Sequence, residues 1–170
     1  MHSGISIQAF AALLTTALLI TACDLRAQQN SSNVGDIAFD AKRDNSKFQF
    51  CNPEVVVQEY ELKSSSDESN VWISGQLKEK FVHKASWGNE TGFITIRFAV
   101  NCFGLTDRFR AKGVGADLKA VEFSSELTDY LIRLVKEIKW LVKNYQMKTF
   151  DYYQDVTFKI VKGKLQEVVI

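Results

Sequence analysis

The stretch Ser124–Tyr145, SSELTDYLIRLVKEIKWLVKNY, constrains the fold of this chain more than any other. Leu127, Tyr130, Leu131, Leu134, Val135, Ile138, Leu141, Val142 and Tyr145 recur at steps of three and four. Such steps gather on one face of an α-helix. Arg133, Lys136, Lys139 and Lys143 fall on the other face. Ser124 or Ser125 can cap the first N–H groups. Glu126 and Asp129 suit the positive end of the helix dipole, and the lysines crowd toward its negative end. The spacing predicts a helix from Ser124 to Tyr145, closed by the polar run Gln146-Met147-Lys148.

So wide an apolar stripe must be covered, and the flanking segments supply a sheet. In Gly92–Gly104, Ile94, Ile96, Phe98, Val100 and Cys102 alternate with Phe93, Thr95, Arg97, Ala99 and Asn101. The first set is apolar and is expected to face the helix. Asn101-Cys102-Phe103-Gly104 makes a turn. Phe109 and Ala111 then alternate with Arg108, Arg110 and Lys112, until Gly113 and Gly115 break the strand. Asp151–Ile170 reads as a hairpin about Lys162-Gly163-Lys164, with Tyr153, Val156, Phe158 and Ile160 on its first strand. Its last strand is expected at the sheet edge, open to strand addition by a partner. The fold class is α+β: an antiparallel sheet of about four to five strands packed against one long amphipathic helix.

The chain has 170 residues, 46% of them hydrophobic, which suits one domain with a real core. A net charge of +1 gives no pull toward nucleic acid. A single proline excludes a long polyproline spacer.

At the N-terminus, Ile5–Ala22 is apolar and uncharged, and ends in Ile20-Thr21-Ala22-Cys23. This resembles the lipobox of bacterial lipoproteins. The resemblance implies export, removal of residues 1–22 and lipidation of Cys23, whose acyl chains would anchor the protein at a membrane and leave it facing the periplasm. Two alternatives stand beside it. One is an ordinary signal peptide cut near Ala27-Gln28, giving a soluble periplasmic or secreted protein. The other is a short transmembrane helix. Met1-His2-Ser3-Gly4 lacks the Lys or Arg usual before such a segment. Residues 23–45 are polar and read as a flexible tether, with a single α+β domain over 46–170.

Lys47–Leu62, broken by Asn52-Pro53, reads as a short strand, a turn and a second strand or short helix. A helix is expected near 69–84, with Trp72 and Trp87 packing about it. His83, among Lys80, Val82 and Lys84, reads as a surface residue, and no metal-ligand spacing surrounds it. In an oxidising compartment, Cys51 and Cys102 are expected to form a disulfide. It would close a loop of about 50 residues and contribute about 4 kcal/mol. A redox thiol would call for C-x-x-C or a histidine partner, and neither is present.

From Gly88 onward the chain resembles the C-terminal domain of TonB. The resemblance rests on Gly88-Asn89-Glu90-Thr91-Gly92, Ile94–Asn101, Gly104, Arg108-Phe109-Arg110, the helix with Trp140, and Val156–Ile160. It covers residues 88–165 and extends to exported Bacteroidetes proteins that carry this domain. It implies a two-stranded hairpin, a helix and a closing strand with an exposed edge for partner binding. The departures are the absent Pro/Lys-rich spacer, a cysteine in place of a membrane helix, and no proline after Trp140. Energy transduction is therefore not carried over.

No nucleophile elbow, phosphate loop, dinucleotide fingerprint or zinc motif occurs, and no cofactor or metal is expected. Asp151 and Asp155 form the one carboxylate pair worth weighing, with no third group beside them. Arg97, Arg108 and Arg110, with Tyr152, are the candidate surface for an acidic partner. The expected function is a lipid-anchored, non-enzymatic module that binds another envelope protein, by strand-edge pairing among other routes. The alternative is a small-ligand-binding or hydrolase-like envelope protein with a pocket between helix and sheet.

Overall fold

The computed structural model describes residues 36–59, 67–145 and 147–170. In chain order the elements are β1 (Val56–Gln58), α1 (Asp67–Lys80), a 3₁₀ turn (Ala85–Trp87), β2 (Gly92–Val100), β3 (Thr106–Gly115), α2 (Ser125–Glu137), β4 (Lys143–Tyr145), β5 (Lys148–Val161) and β6 (Lys164–Val169). The expected signal segment and the expected lipidation site, Cys23, lie outside the described residues.

Helix α2 starts as expected. The Ser124 hydroxyl accepts the Leu127 N–H at 3.5 Å, and Glu126 stands in the first turn. Leu127, Leu131, Leu134 and Val135 are buried. Its end differs from the expected Tyr145: Ile138 is already extended, at φ −77 and ψ 137. The reason lies in Trp140. Nine residues beyond Leu131, a continued helix would turn Trp140 about 180° away from the buried face. Extended backbone instead brings its ring to 4.7 Å from Phe98, and its indole N–H donates to the Val135 carbonyl at 3.0 Å. Burial of so large a ring outweighs one more helical turn.

Among the described residues the sheet has six strands, in the order β1-β5-β2-β3, with β4 and β6 also paired to β5. It is mixed rather than antiparallel, because β1 runs parallel to β5 with Val56 opposite Asp151. Strand β2 occupies one flank of β5 from Tyr152 to Ile160. The strands β1, at Asp151–Tyr153, and β6, at Thr157–Val161, therefore share the other flank. Ile94 faces Phe158 and Ile96 faces Val156, and all four side chains are buried beneath the helices. A second helix, α1, adds Ile73 and Leu77 to that core. This is the helix expected near 69–84, and it joins α2 in covering the sheet. Trp87 is fully buried, whereas Trp72 is exposed. Lys162 (φ 49) and Gly163 (φ 72) close the β5–β6 hairpin with two positive φ angles, the pairing that matches strand twist.

The opposite face carries a smaller core of Ile37, Ala99 and Tyr153, with Phe48, Phe50 and Val56 against it. Tyr153 therefore faces away from Val156, Phe158 and Ile160. The segment from Ile37 to Val55 forms a strap across this face. Part of the expected tether is thus folded: the compact unit runs from Ile37 to Ile170.

Strand β3 continues through Gly113 to Gly115, because the returning chain pairs with both. The Val121 N–H donates to the Gly113 carbonyl at 3.1 Å, and the Gly115 N–H to the Lys119 carbonyl at 2.8 Å. A Cβ at Gly113 would stand 2.2 Å from the Val121 oxygen and 2.6 Å from the Phe123 ring. Gly113→Ala is accordingly expected to cost about 1–3 kcal/mol in urea unfolding, as overpacking does. Gly75→Ala, in α1 with nothing within 4 Å of the added carbon, should instead gain about 0.5–1 kcal/mol.

Candidate functional site

The three arginines expected to greet a partner all bind within the chain. Arg97 Nη1 donates to Asp155 Oδ2 at 2.6 Å and Nη2 donates to Gln58 Oε1, while the guanidinium lies 5.2 Å from the Tyr153 ring centroid. Arg108 stacks at 4.6 Å over Phe50 and donates to the Ile37 carbonyl at 2.9 Å. Arg110 grips Asp44 with both terminal nitrogens, at 2.8 and 2.7 Å, and reaches the Ala38 carbonyl. Each guanidinium binds the strap or β1. Tyr152 is 1% exposed and lies on the helix face, its hydroxyl donating to the Leu141 carbonyl at 2.7 Å. Burial, and then the Glu59 charge, raise its pKa above the ordinary phenol value of 10.0. It is a core residue, not the surface residue expected.

Beside Tyr152 sits a buried ion pair. Lys143 Nζ lies 3.0 Å from Glu59 Oε1, with both side chains largely covered. It joins β4 to the residue after β1.

The corner between strap and sheet holds the second constellation. Cys51 and Cys102 stand at disulfide distance, their Cα atoms 6.0 Å apart. Asp151 lies next to them at 2% exposure. One of its carboxylate oxygens accepts the Asn52 N–H at 2.7 Å, the other the Cys102 N–H at 2.8 Å. Asp155 is tied to Arg97 instead, so the two carboxylates hold separate posts. A cleft of about 490 Å³ opens beside Cys51, walled by Asn52, Val55 and Lys148–Asp151.

A larger cleft, about 550 Å³, lies between α2 and β3. Its floor is Ile94, Phe109, Ala111 and Ile132, and Lys112, Lys136, Glu122 and Asp129 bring both signs of charge to it. Lys136 Nζ covers the Phe109 ring at 4.8 Å. His83 is exposed, away from either cleft.

The third feature is backbone. Strand β6 pairs with β5 alone, and among the described residues no backbone hydrogen bond is made to its outer edge, although helix α1 packs close to the strand. Lys164, Gln166, Glu167 and Val169 are exposed along it. The β3 edge is less open, since Lys119–Val121 pairs with one end and the strap's Ile37, Ala38 and Asp44 take the arginines at the other. No described helix is long and apolar enough to cross a membrane. No protein-family model, curated protein or solved structure matches the chain.

The strap's attachment through Asp44 is expected to weaken in acid. Hydrogen bonding to Arg110, then to the Asp40 backbone, holds the Asp44 carboxyl below its ordinary 3.8 in spite of burial. A carboxyl whose folded pKa is depressed stabilises the fold above its unfolded pKa, and this is lost as pH falls through the folded value. Urea midpoints should therefore drop steeply below about pH 4. In Asp44→Asn they should start lower at neutral pH and fall less over that range.

Proposed function

We propose that this chain is an exported, lipid-anchored, non-enzymatic module of the bacterial cell envelope that binds another protein along β6. Cys23 carries the lipid and residues 1–22 are removed. The observation that supports the reading is the outer edge of β6, which carries no backbone partner among the described residues. Its unpaired N–H and C=O groups can extend the sheet by one strand of a partner, and side chains on either face can select the sequence. Lys164 and Glu167, exposed on the same strand, are the charges that discourage promiscuous edge pairing. The order β2, β3, α2, β5 is the order that the TonB-like resemblance implies, and Trp140 follows the helix as it would there.

The cleft between α2 and β3 favours a second reading, a small-ligand-binding or hydrolase-like protein. Its volume of about 550 Å³ is within the range of ligand sites.

One experiment separates the two. A photo-crosslinking residue is placed at Val169 on β6, or at Lys112 in the cleft, and the intact protein is irradiated in its native membranes. A single macromolecular adduct from Val169, absent from Lys112, is the expected result. Adducts from Lys112 alone, or none from Val169, would sink the edge-pairing reading.

A further inference from the structure

Cys51 on the strap, Cys102 in the β2–β3 turn and Asp151 on β5 are far apart in sequence, yet converge on one corner. Both Sγ atoms and a carboxylate oxygen of Asp151 lie within 4.8 Å of one another. Asp151 is oriented in advance by the two backbone N–H groups it accepts, and each oxygen keeps a further lone pair. The cleft beside Cys51 gives a path from solvent and room for a water. Two thiols, once deprotonated, would share this corner with a carboxylate, and three negative charges so close repel unless a cation joins them.

We propose that the reduced Cys51–Cys102 pair and Asp151 bind one zinc-type divalent ion, with a water from the cleft as fourth ligand. A dithiol reductant supplies two electrons and two protons to the sulfur–sulfur bond and is itself oxidised to a disulfide. Cys51 and Cys102 become thiols. Metal binding then releases both thiol protons to solvent, so affinity rises with pH. Zinc–sulfur bonds of about 2.3 Å place two thiolates about 3.8 Å apart in a tetrahedral site. Cα atoms 6.0 Å apart allow that by side-chain rotation. Thiolate donors select zinc or cadmium over calcium and magnesium. The disulfide and the metal exclude each other, and either one fastens the strap to the β2–β3 turn. The proposal does not rest on the β6 reading.

The test uses the full chain carrying Cys23→Ser, so that no third thiol competes. The protein is reduced with a phosphine and titrated with Cd²⁺, read by the thiolate-to-cadmium charge-transfer band, and with Zn²⁺ against a chromophoric chelator. One equivalent should bind the reduced chain and none the oxidised chain. Cys51→Ser or Cys102→Ser should abolish the band, and Asp151→Asn should weaken binding at least about tenfold. Should Asp151→Asn fail to fold, cadmium NMR on the unsubstituted site reads the donor set directly, as two sulfurs with oxygen. No binding on reduction, equal binding by the oxidised chain, unchanged affinity in a folded Asp151→Asn, or a different sulfur count would each overturn the site.

Discussion

Strand β5 has a pairing partner along each flank, and every other strand but β3 hydrogen-bonds to it. It pairs with β2 along one flank and with β1 and β6 on the other, and its first residues pair with β4. The strict alternation of a strand sends its neighbours Tyr152 and Tyr153 into opposite cores. A one-residue slip would put Asp151 and Asp155 under the helices and turn Tyr152, Val156 and Phe158 onto the strap's face. Register here is therefore set by both faces at once.

The two faces are covered by different physics. Under α1 and α2 the contacts are apolar and non-directional: Ile94, Ile96, Phe98, Val156 and Phe158 against Leu77, Leu127 and Leu131. The strap uses directional bonds. Arg110 holds Asp44, Arg108 holds Phe50 and the Ile37 carbonyl, and Asp151 holds the backbone beside both cysteines. Such bonds specify one position of the strap, but each leaves a costly unpaired group if its partner is lost. The same economy bears on binding. The basic patch is bound internally, so among the described residues the β6 edge, the cleft beside α2 and the corner at Cys51 are the features that can receive something from outside.

Where a residue's environment follows from its near neighbours, the sequence was readable. The alternation in β2, the α2 cap at Ser124 and the Lys162-Gly163 turn all follow from local spacing and turn chemistry. The end of α2 was not readable, because the pull on Trp140 comes from Phe98, some forty residues earlier. The parallel pairing of β1 was hidden for a like reason: Val56–Gln58 is too short to show a period and finds its partner at Asp151–Tyr153. The arginines looked like a docking patch because alternation told which face they share and nothing told that the strap would cover it. Asp151 carried no local sign of burial, since its two donors come from residues 99 and 49 positions away. Gly113 and Val121, which approach closely, both line the cleft beside α2, whereas in the sequence a glycine at that point of the alternation signals only a strand break.

Whether β6 offers a free edge to a partner can be read from amide hydrogen exchange along Lys164–Val169 in the isolated full chain. Alternation is expected: amides directed at β5 protected, and those between them exchanging at nearly the rate of an open chain. Continuous protection along the whole strand would mean that the outer edge is already covered, and β6 would then have no edge to offer.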